Sequence, residues 1–424
     1  MVKRIFYILL CIISLTILLN ACSERVPEAP SPSDAKEQDG GEGILSKDRE
    51  REQIDKESQK ENFNTDIGEP EKEQISDPHI EEVYIEEVWD EVPIMQKEFS
   101  KSRVYYSISE SGELLSGEFD EPESDIYEMD TTLKITDIYT GVEEKIKVVE
   151  WPMQIWNADI NSEWVIWVEG IAEGISGRDY EVYAYNRETK DIKLYFTTRR
   201  DDGESIMVHT PKPSLKENEF LIDVVSVCNE DGNRNITSRK YNLTTGNYKE
   251  IAEQFALPSW SKNGYIGMIQ DKELMEASII AELVDDSLNP LTDKGLYIHE
   301  YLTDGEAVAV VGQEFDDDKG IRTIKRNMWL IEDGQKKLIK KAGLGGGCGW
   351  PKMSNRFIIW TTEGKAYAYD RKRNYIIKMS DEYNSYARLT NNNYISWLTP
   401  TEQEIQEPTG SYSILNIVKI EDIP

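Results

Sequence analysis

Residues 350–374 read WPKMSNRFIIWTTEGKAYAYDRKRN, and this stretch decides the fold. A polar turn, SNR, leads into the apolar run FIIW. A glycine turn follows at Gly364, and the alternating run AYAY ends at a second charged turn. Short runs of aromatic and β-branched residues, bounded by Gly, Asn, Ser and Asp, are typical of strands joined by tight hairpins. The stretch therefore predicts consecutive antiparallel strands.

The same unit of polar turn and apolar run occurs seven times after Val83, at intervals of 37 to 60 residues. The first apolar residues of the seven copies are Val104, Trp164, Phe220, Tyr265, Ala307, Phe357 and Tyr394. A period of about 40 to 50 residues with four short strands is typical of the blade of a β-propeller. We therefore predict an all-β propeller of seven four-stranded blades over residues 83–424.

Two alternatives to the seven-bladed ring stay open. One is a six-bladed ring in which residues 83–150 form an added sheet, and the other is a pair of β-sandwiches, which would not need a sustained period. The last repeat ends in a single clear strand at residues 413–420, while residues 82–89 have strand character. We expect these two segments to pair and close the last blade, because an unpaired sheet edge invites aggregation.

Residues 258–264 read PSWSKNG, which resembles the P-x-W-S-x-D/N-G blade opening of TolB-like propellers. The turn YNLTTG from Tyr241 is similar to the matching hairpin of that group. The resemblance covers about residues 95–420. It implies the architecture only, because members of the group serve as envelope scaffolds, binding modules or appendages of peptidases.

The N-terminus predicts an export signal over residues 1–21. Lys3 and Arg4 precede an apolar stretch at residues 5–19, and LNAC closes it at Cys22. This ending resembles the lipobox of bacterial lipoproteins, which implies cleavage before Cys22 and a diacylglycerol, with palmitate, on its thiol. An ordinary signal peptide is the alternative. Ser23 leaves the choice of membrane open.

Residues 22–82 predict a disordered acidic tether. They are rich in Glu, Asp, Lys, Gln, Ser and Pro and nearly lack aromatic residues, so they cannot bury enough apolar surface to fold. His79 falls in this segment and is interpreted as a spacer residue. The resemblance to a lipobox implies that the propeller lies outside the cytoplasm, anchored to the cell membrane by lipid.

Charge and cysteine content exclude several classes of function. A net charge of −32 argues against nucleic acid, which needs clustered Lys and Arg, and against broad attachment to anionic lipid. Four cysteines do not make a disulfide framework. Cys228 and Cys348 lie three repeats apart, too far for a bridge. The glycines around Cys348 predict an exposed loop for it.

No catalytic or metal motif occurs in the sequence. It lacks the nucleophile elbow, the zinc-protease helix motif and paired cysteines, so we expect no metal and no cofactor. The glycine run 345–349 lacks the ending of a phosphate loop. The run of Asp at 316–318 lacks the spacing of a calcium loop and is interpreted as a solvated hairpin tip.

Residues near the innermost strands are the candidates for lining the mouth of the channel. They are Trp156, His209, Trp260, His299, Glu300, Trp350 and Arg388. We expect the three tryptophans to pack between blades, whereas mixed aromatic and polar groups in a funnel suit a peptide or a sugar.

The sequence favours a monomeric binding or scaffold module over an enzyme. Its partner would be a basic envelope protein, a peptide or a glycan, since an acidic surface attracts basic partners. The alternative is an extracytoplasmic hydrolase or lyase acting on glycans. Such chemistry needs two carboxylates at a set separation, which a sequence cannot reveal.

We predict that Cys22→Ala abolishes lipid labelling and removes the protein from the membrane fraction, because no other thiol stands at the cleavage site. Metabolic labelling with a fatty acid, followed by fractionation, measures this. A wild-type protein with an unmodified N-terminus elsewhere, free in the soluble fraction, would contradict the lipoprotein assignment.

Overall fold

The computed structural model describes residues 80–99, 103–119, 130–171, 180–198, 211–226, 235–270, 277–292, 297–316, 323–341, 347–402, 405 and 413–424. Several residues discussed above lie outside these ranges: the signal and residues 22–79 of the tether, with Cys22 and His79, and also His209, Cys228 and part of the Asp316 run. The last three residues of the predicted tether, 80–82, lie within them, and Glu82 begins the first strand. Within the described ranges the protein is almost entirely β-structure.

The described chain begins with two short strands and one turn of helix: β1 (Glu82–Tyr84), α1 (Ile85–Val88) and β2 (Met95–Glu98). The strands of the first three blades follow in order: β3 (Arg103–Ile108), β4 (Glu113–Phe119), β5 (Thr131–Asp137) and β6 (Glu143–Val149); β7 (Met153–Ile160), β8 (Trp164–Ile171), β9 (Tyr180–Asn186) and β10 (Ile192–Thr197); β11 (Ser214–Lys216), β12 (Glu219–Ser226), β13 (Asn235–Asn242) and β14 (Tyr248–Glu253).

Blades 4 to 7 are made in the same way. Their strands are β15 (Phe255–Trp260), β16 (Tyr265–Gln270), β17 (Ala277–Val284) and β18 (Ser287–Pro290); β19 (Tyr297–Thr303), β20 (Val308–Asp316), β21 (Thr323–Glu332) and β22 (Gln335–Lys340); β23 (Gly349–Met353), β24 (Phe357–Thr362), β25 (Lys365–Asp370) and β26 (Tyr375–Lys378); β27 (Tyr386–Thr390), β28 (Tyr394–Pro400) and β29 (Ser413–Lys419), after which comes a 3-10 turn (Ile420–Asp422).

Seven sheets thus form a seven-bladed β-propeller, which confirms the predicted fold class. In each blade, strands that are consecutive in the chain pair antiparallel with one another, and blades 6 and 7 each gain one strand from the N-terminal segment. The first strands of neighbouring blades contact each other around the ring, so they are the innermost. Residues 103–149 form blade 1 of the ring, and the six-bladed alternative is wrong.

The structure differs from the prediction for the first copy of the repeat, which begins one strand later than the sequence indicates. Trp164, Phe220, Tyr265 and their equivalents stand at or next to the start of the second strand of their blades, but Val104 lies in the innermost strand β3. Its true counterpart is Leu114 in β4, which is fully buried. The prediction was wrong here because the polar run SKSR before Val104 resembles the hairpin turn that precedes the other copies.

The N-terminal segment closes the ring, though not through the residues expected. Strand β1 pairs parallel with β26 as a fifth strand of blade 6, and β2 pairs antiparallel with β29 as the outer strand of blade 7. The strand character of residues 82–89 is interrupted because residues 85–88 turn into α1. That turn carries Trp89 inward.

The side chain of Trp89 packs between blades 6 and 7. Its side chain is 2% exposed and lies edge-on to Phe357 of blade 6, with ring centroids 5.9 Å apart. Its distance to the Trp397 ring of blade 7 is 6.3 Å. Residues 82–98 therefore hold blades 6 and 7 together, through the packing of Trp89 and through the pairing of β1 and β2 with the outer strands of these blades.

The two hairpins of a blade, between its first and second and its third and fourth strands, have turns of two to five residues. They lie on one face of the ring, which we call the turn face. Asn161 and Asn391 close such turns, because each side-chain oxygen accepts two backbone N–H groups, at 2.8–2.9 Å. Each side-chain amide then donates to the next blade, at 2.7 Å, to Glu217 O and Ile108 O respectively. One residue type thus shapes the turn and joins two blades.

Six apolar clusters fill the interfaces between blades. They contain the first residues of most second strands, such as Phe220 and Phe357, both fully buried. The core of the protein is therefore a ring of interfaces around the channel, which keeps the innermost strands in fixed positions.

We predict that Trp89→Ala lowers the free energy of unfolding by about 3–5 kcal/mol, because a buried indole is lost from the seam between blades 6 and 7. Thermal or denaturant unfolding of the full chain measures this. The matched control is Tyr383→Ala, since Tyr383 is 69% exposed and should shift stability by no more than about 0.5 kcal/mol. Equal melting points for the two variants would contradict the role of Trp89 in holding blades 6 and 7 together.

Candidate functional site in the central channel

The innermost strands are bulged, and the bulges bring several predicted residues to the channel. Six of the seven innermost strands shift register against their neighbour. Trp156, His299, Trp350 and Arg388 all fall within these shifts. A bulge re-aims the side chain of its extra residue, and bulges are common next to functional sites.

The channel contains a cavity of about 550 Å³ lined by the innermost strands of several blades. Four of the candidate residues line it: Trp156, Glu300, Trp350 and Arg388. Trp260 instead lines a neighbouring opening towards the turn face. His299 is exposed beside Glu300 and does not line the cavity, and His209 lies outside the described residues.

The cavity also holds charged residues that the sequence did not single out: Asp159, Lys212 and Lys352. The sequence carries no signal for them beyond the nearness of two of them to predicted tryptophans. Asp159 stands three residues after Trp156, and Lys352 stands two residues after Trp350. Counting the charged side chains of the lining gives three cations and two carboxylates, in a protein of net charge −32.

Asp159 is held by groups from three blades. Its carboxylate accepts a hydrogen bond from Ser107 Oγ at 2.8 Å, from the Ile160 backbone N–H at 2.9 Å and from the Leu215 N–H at 3.4 Å. Burial nevertheless raises the pKa of this carboxyl, because the removal of solvent disfavours its charged form more than these donors favour it.

Glu300 is paired across the channel. The ammonium group of Lys212 donates to Glu300 Oε1 at 2.6 Å. Glu300 lies in β19 of blade 5, and Lys212 lies two residues before β11 of blade 3. The pairing spans the opening between blades that are not neighbours. It uses one of the two carboxylates of the cavity and one of its three cations.

The side chain of Lys352 has no hydrogen bond or ion pair with any other described residue. Its side chain is exposed to the water of the channel, and the protein around it lowers the pKa of its ammonium group by removing part of that water. Lys212 and Arg388 lower the pKa further by repulsion, while Glu300 and Asp159 act in the opposite direction. The group is an uncompensated cation in the channel.

Arg388 is surrounded by aromatic rings. Its guanidinium carbon lies 5.3 Å from the ring centre of Tyr386 and 5.9 Å from that of Trp350. Its Nε is buried and has no hydrogen-bond partner among the described residues, and burial lowers the pKa of the guanidinium. Burial also raises the pKa of nearby Tyr105 to about 12, so that phenol stays neutral.

The three predicted tryptophans differ in their surroundings. Trp156 packs against Gly170, where a Cβ would clash with the indole, and lies 6.4 Å from the Tyr180 ring. Trp260 is half-buried and donates from Nε1 to Ser214 O at 3.0 Å. Trp350 departs from the expected packing: it is 61% exposed, with a positive φ of 48° at the bulge.

Two further sequence predictions concern reactive groups. Cys348 is not exposed: it is 1% exposed in the cluster with Trp360, and burial raises the pKa of its thiol to about 12. The expected exposure was wrong because the glycines precede a strand that packs against blade 5. Within the described ranges, no group of three or more His, Cys, Asp or Glu side chains could hold a metal ion.

The described part of the chain has no helix long and apolar enough to cross a membrane. His299, the one described histidine, has its pKa lowered chiefly by burial, with Arg326 adding repulsion. Neither finding assigns an activity.

The arrangement in the channel is best suited to hold charged and aromatic parts of a ligand.

No family model matches the sequence, and no curated protein matches it. Solved structures do match. Pyrococcus horikoshii acylaminoacyl peptidase is 12% identical with a TM-score of 0.49, over 71% of this chain and 50% of that one. This chain thus spans about half the length of that peptidase.

Two other solved structures match over most of their own length. An oligogalacturonate lyase in complex with manganese is 8% identical with a TM-score of 0.51, over 78% of this chain and 98% of that one. The β-propeller domain of the trilobed protease from Pyrococcus furiosus, described as having an open velcro topology, is 12% identical with a TM-score of 0.48, over 72% and 92%. The likeness to the lyase is one of fold.

We predict that Trp156→Ala lowers the free energy of unfolding by about 3 kcal/mol, because its indole packs on Gly170, while Trp350→Ala changes it by less than about 0.5 kcal/mol. Denaturant unfolding of both variants measures this. The difference separates a packing tryptophan from one free to meet a ligand. A large loss for Trp350→Ala would place that residue in the core instead.

Proposed function

We propose that this protein is a lipid-anchored binding module of the cell envelope, whose propeller recognises a basic protein or peptide at the mouth of its channel. The observation that carries the proposal of a binding site at the mouth is the exposed ring of Trp350, which lines the cavity with Arg388 and Lys352. An exposed aromatic ring stands beside two cations that have no partner among the described residues. Ligand sites typically combine apolar surface with a few unsatisfied polar groups.

The anchor is part of the proposal on the strength of the sequence alone. The lipobox at Cys22 supports attachment through a diacylglycerol, and two or more acyl chains hold a protein stably at a membrane. The acidic tether at residues 22–82 would then separate the propeller from the bilayer. We place the protein outside the cytoplasm on the same pattern.

The choice of a basic partner follows from charge. The chain after Glu82 carries 61 acidic and 38 basic residues, a net charge of −23. Such a field speeds the approach of basic partners and repels polyanions, and salt weakens both effects. A glycan remains the second ligand class if it is uncharged, because Trp350 offers a face on which a sugar ring can stack.

Catalysis is a second candidate function, favoured by one observation. Lys352 has a lowered pKa in a cavity that also contains Asp159 and Glu300, and perturbed pKa values cluster at functional sites. Both carboxylates, however, already accept hydrogen bonds from the protein. The candidate reaction is the hydrolysis or elimination of a glycan. Glu300→Gln should abolish any turnover without loss of fold if it is correct.

We predict that the immobilised full chain captures a basic envelope protein or peptide at low salt and releases it at high salt, because the attraction is electrostatic. Mass spectrometry of envelope extracts identifies the captured species. Trp350→Ala should reduce its amount at least several-fold, whereas the control Tyr383→Ala, which removes an exposed ring elsewhere, should not.

The contrary outcomes are distinct. Capture unaffected by Trp350→Ala would move recognition away from the channel mouth. Turnover of a glycan by the wild-type protein, lost in Glu300→Gln, would replace the binding module with the enzyme.

A further inference from the structure

The cations of the cavity are not equivalent. Lys212 is engaged with Glu300 at 2.6 Å, whereas Lys352 and Arg388 have no charged or hydrogen-bonded partner among the described residues. The two stand on neighbouring innermost strands, β23 of blade 6 and β27 of blade 7, and both line the same cavity. Two like charges that face one cavity repel each other, so an anionic ligand placed between them is favoured.

The surroundings of Arg388 favour a planar anion. Tyr386 and Trp350 flank its guanidinium, which has five N–H donors in a fixed fork. Such a fork matches the two oxygens of a carboxylate, and stacking on aromatic rings leaves its edge free to donate. The ammonium of Lys352 adds up to three donors from the neighbouring blade.

The remaining charges restrict the size and charge of that anion. Asp159 and Glu300 line the same cavity, and the propeller as a whole is acidic. A polyanion would meet repulsion both during approach and inside the channel. A ligand with a single carboxylate at its tip and a basic remainder satisfies the two cations and the acidic surface together.

We propose that Lys352 and Arg388 form a carboxylate subsite that receives the C-terminal carboxylate of a basic peptide. The inference rests on the proposed function, since it specifies which part of a basic partner enters the channel. Trp350 forms the exposed wall of the subsite, and Asp159 and Glu300 face the basic or amide groups of the residues that precede the C-terminal one.

The first test uses two probes that differ in one group. An N-acetylated lysine–glycine hexapeptide with a free C-terminal carboxylate and the same peptide as its C-terminal amide are titrated into the full chain at low salt. We expect the free acid to bind at least ten-fold more tightly than the amide. Lys352→Met and Arg388→Met should each bring that ratio close to one.

The matched control is Lys190→Met, which removes the same charge at an exposed turn of blade 2, where Lys190 pairs with Glu144 at 2.7 Å. It should keep the ten-fold preference. Equal affinity for acid and amide, or a preference that survives in both Lys352→Met and Arg388→Met, would overturn the subsite. If the two probes bind equally well, the proposed recognition of basic peptides still stands.

The second test does not depend on peptide binding or on variants that fold. The rate at which Lys352 is acetylated by N-hydroxysuccinimidyl acetate is followed by mass spectrometry in sodium acetate and in sodium chloride of equal ionic strength. Protection by acetate of several-fold, with no protection of Lys190, supports the subsite. Equal rates in the two salts overturn it, whereas protection without peptide binding overturns the proposed function alone.

Discussion

No blade of this propeller can bury its own faces, and every other property of the molecule depends on that constraint. A four-stranded sheet has two apolar faces and needs a neighbour on each side. The clusters that contain Phe220 and Phe357 lie between blades and not within them. On the turn face, residues such as Asn161 and Asn391 add a polar join to the next blade. Because the interfaces fix the innermost strands, the channel has a rigid wall.

That rigid wall lets the protein keep charges that a relaxed structure would neutralise. Lys352 and Arg388 lie in a channel where they gain no partner among the described side chains, and the aromatic rings beside Arg388 cannot accept its hydrogen bonds as a carboxylate would. Natural proteins depart from good local chemistry mainly at functional sites. The contrast with Glu300, which is neutralised by Lys212, marks the unpaired cations as the unusual feature.

The blade count could be predicted because the second strand of each blade is buried on both faces, so that runs such as FIIW stand out against polar turns. The same rule failed at Val104, where a polar run precedes an inner strand. The channel residues were found only in part, because a bulge depends on pairing with the neighbouring strand. Trp350 and Arg388 could be proposed from their place in the repeat. Lys352 could not, since nothing in the sequence says that a lysine two residues past a tryptophan meets no partner.

The pairing of β2 with β29 affects the order in which the strands come together during folding. Gln96 and Asn416, which are bonded across this pair at 3.0 Å, are 320 residues apart in the chain. Bringing such distant segments together is slow, because the entropy of the intervening loop is lost before the contact can stabilise it. Strand β2, one of the first two strands to be synthesised, therefore finds its partner β29 last. Until then β29 is an open sheet edge, so the ring is most vulnerable to association with other chains just before it closes.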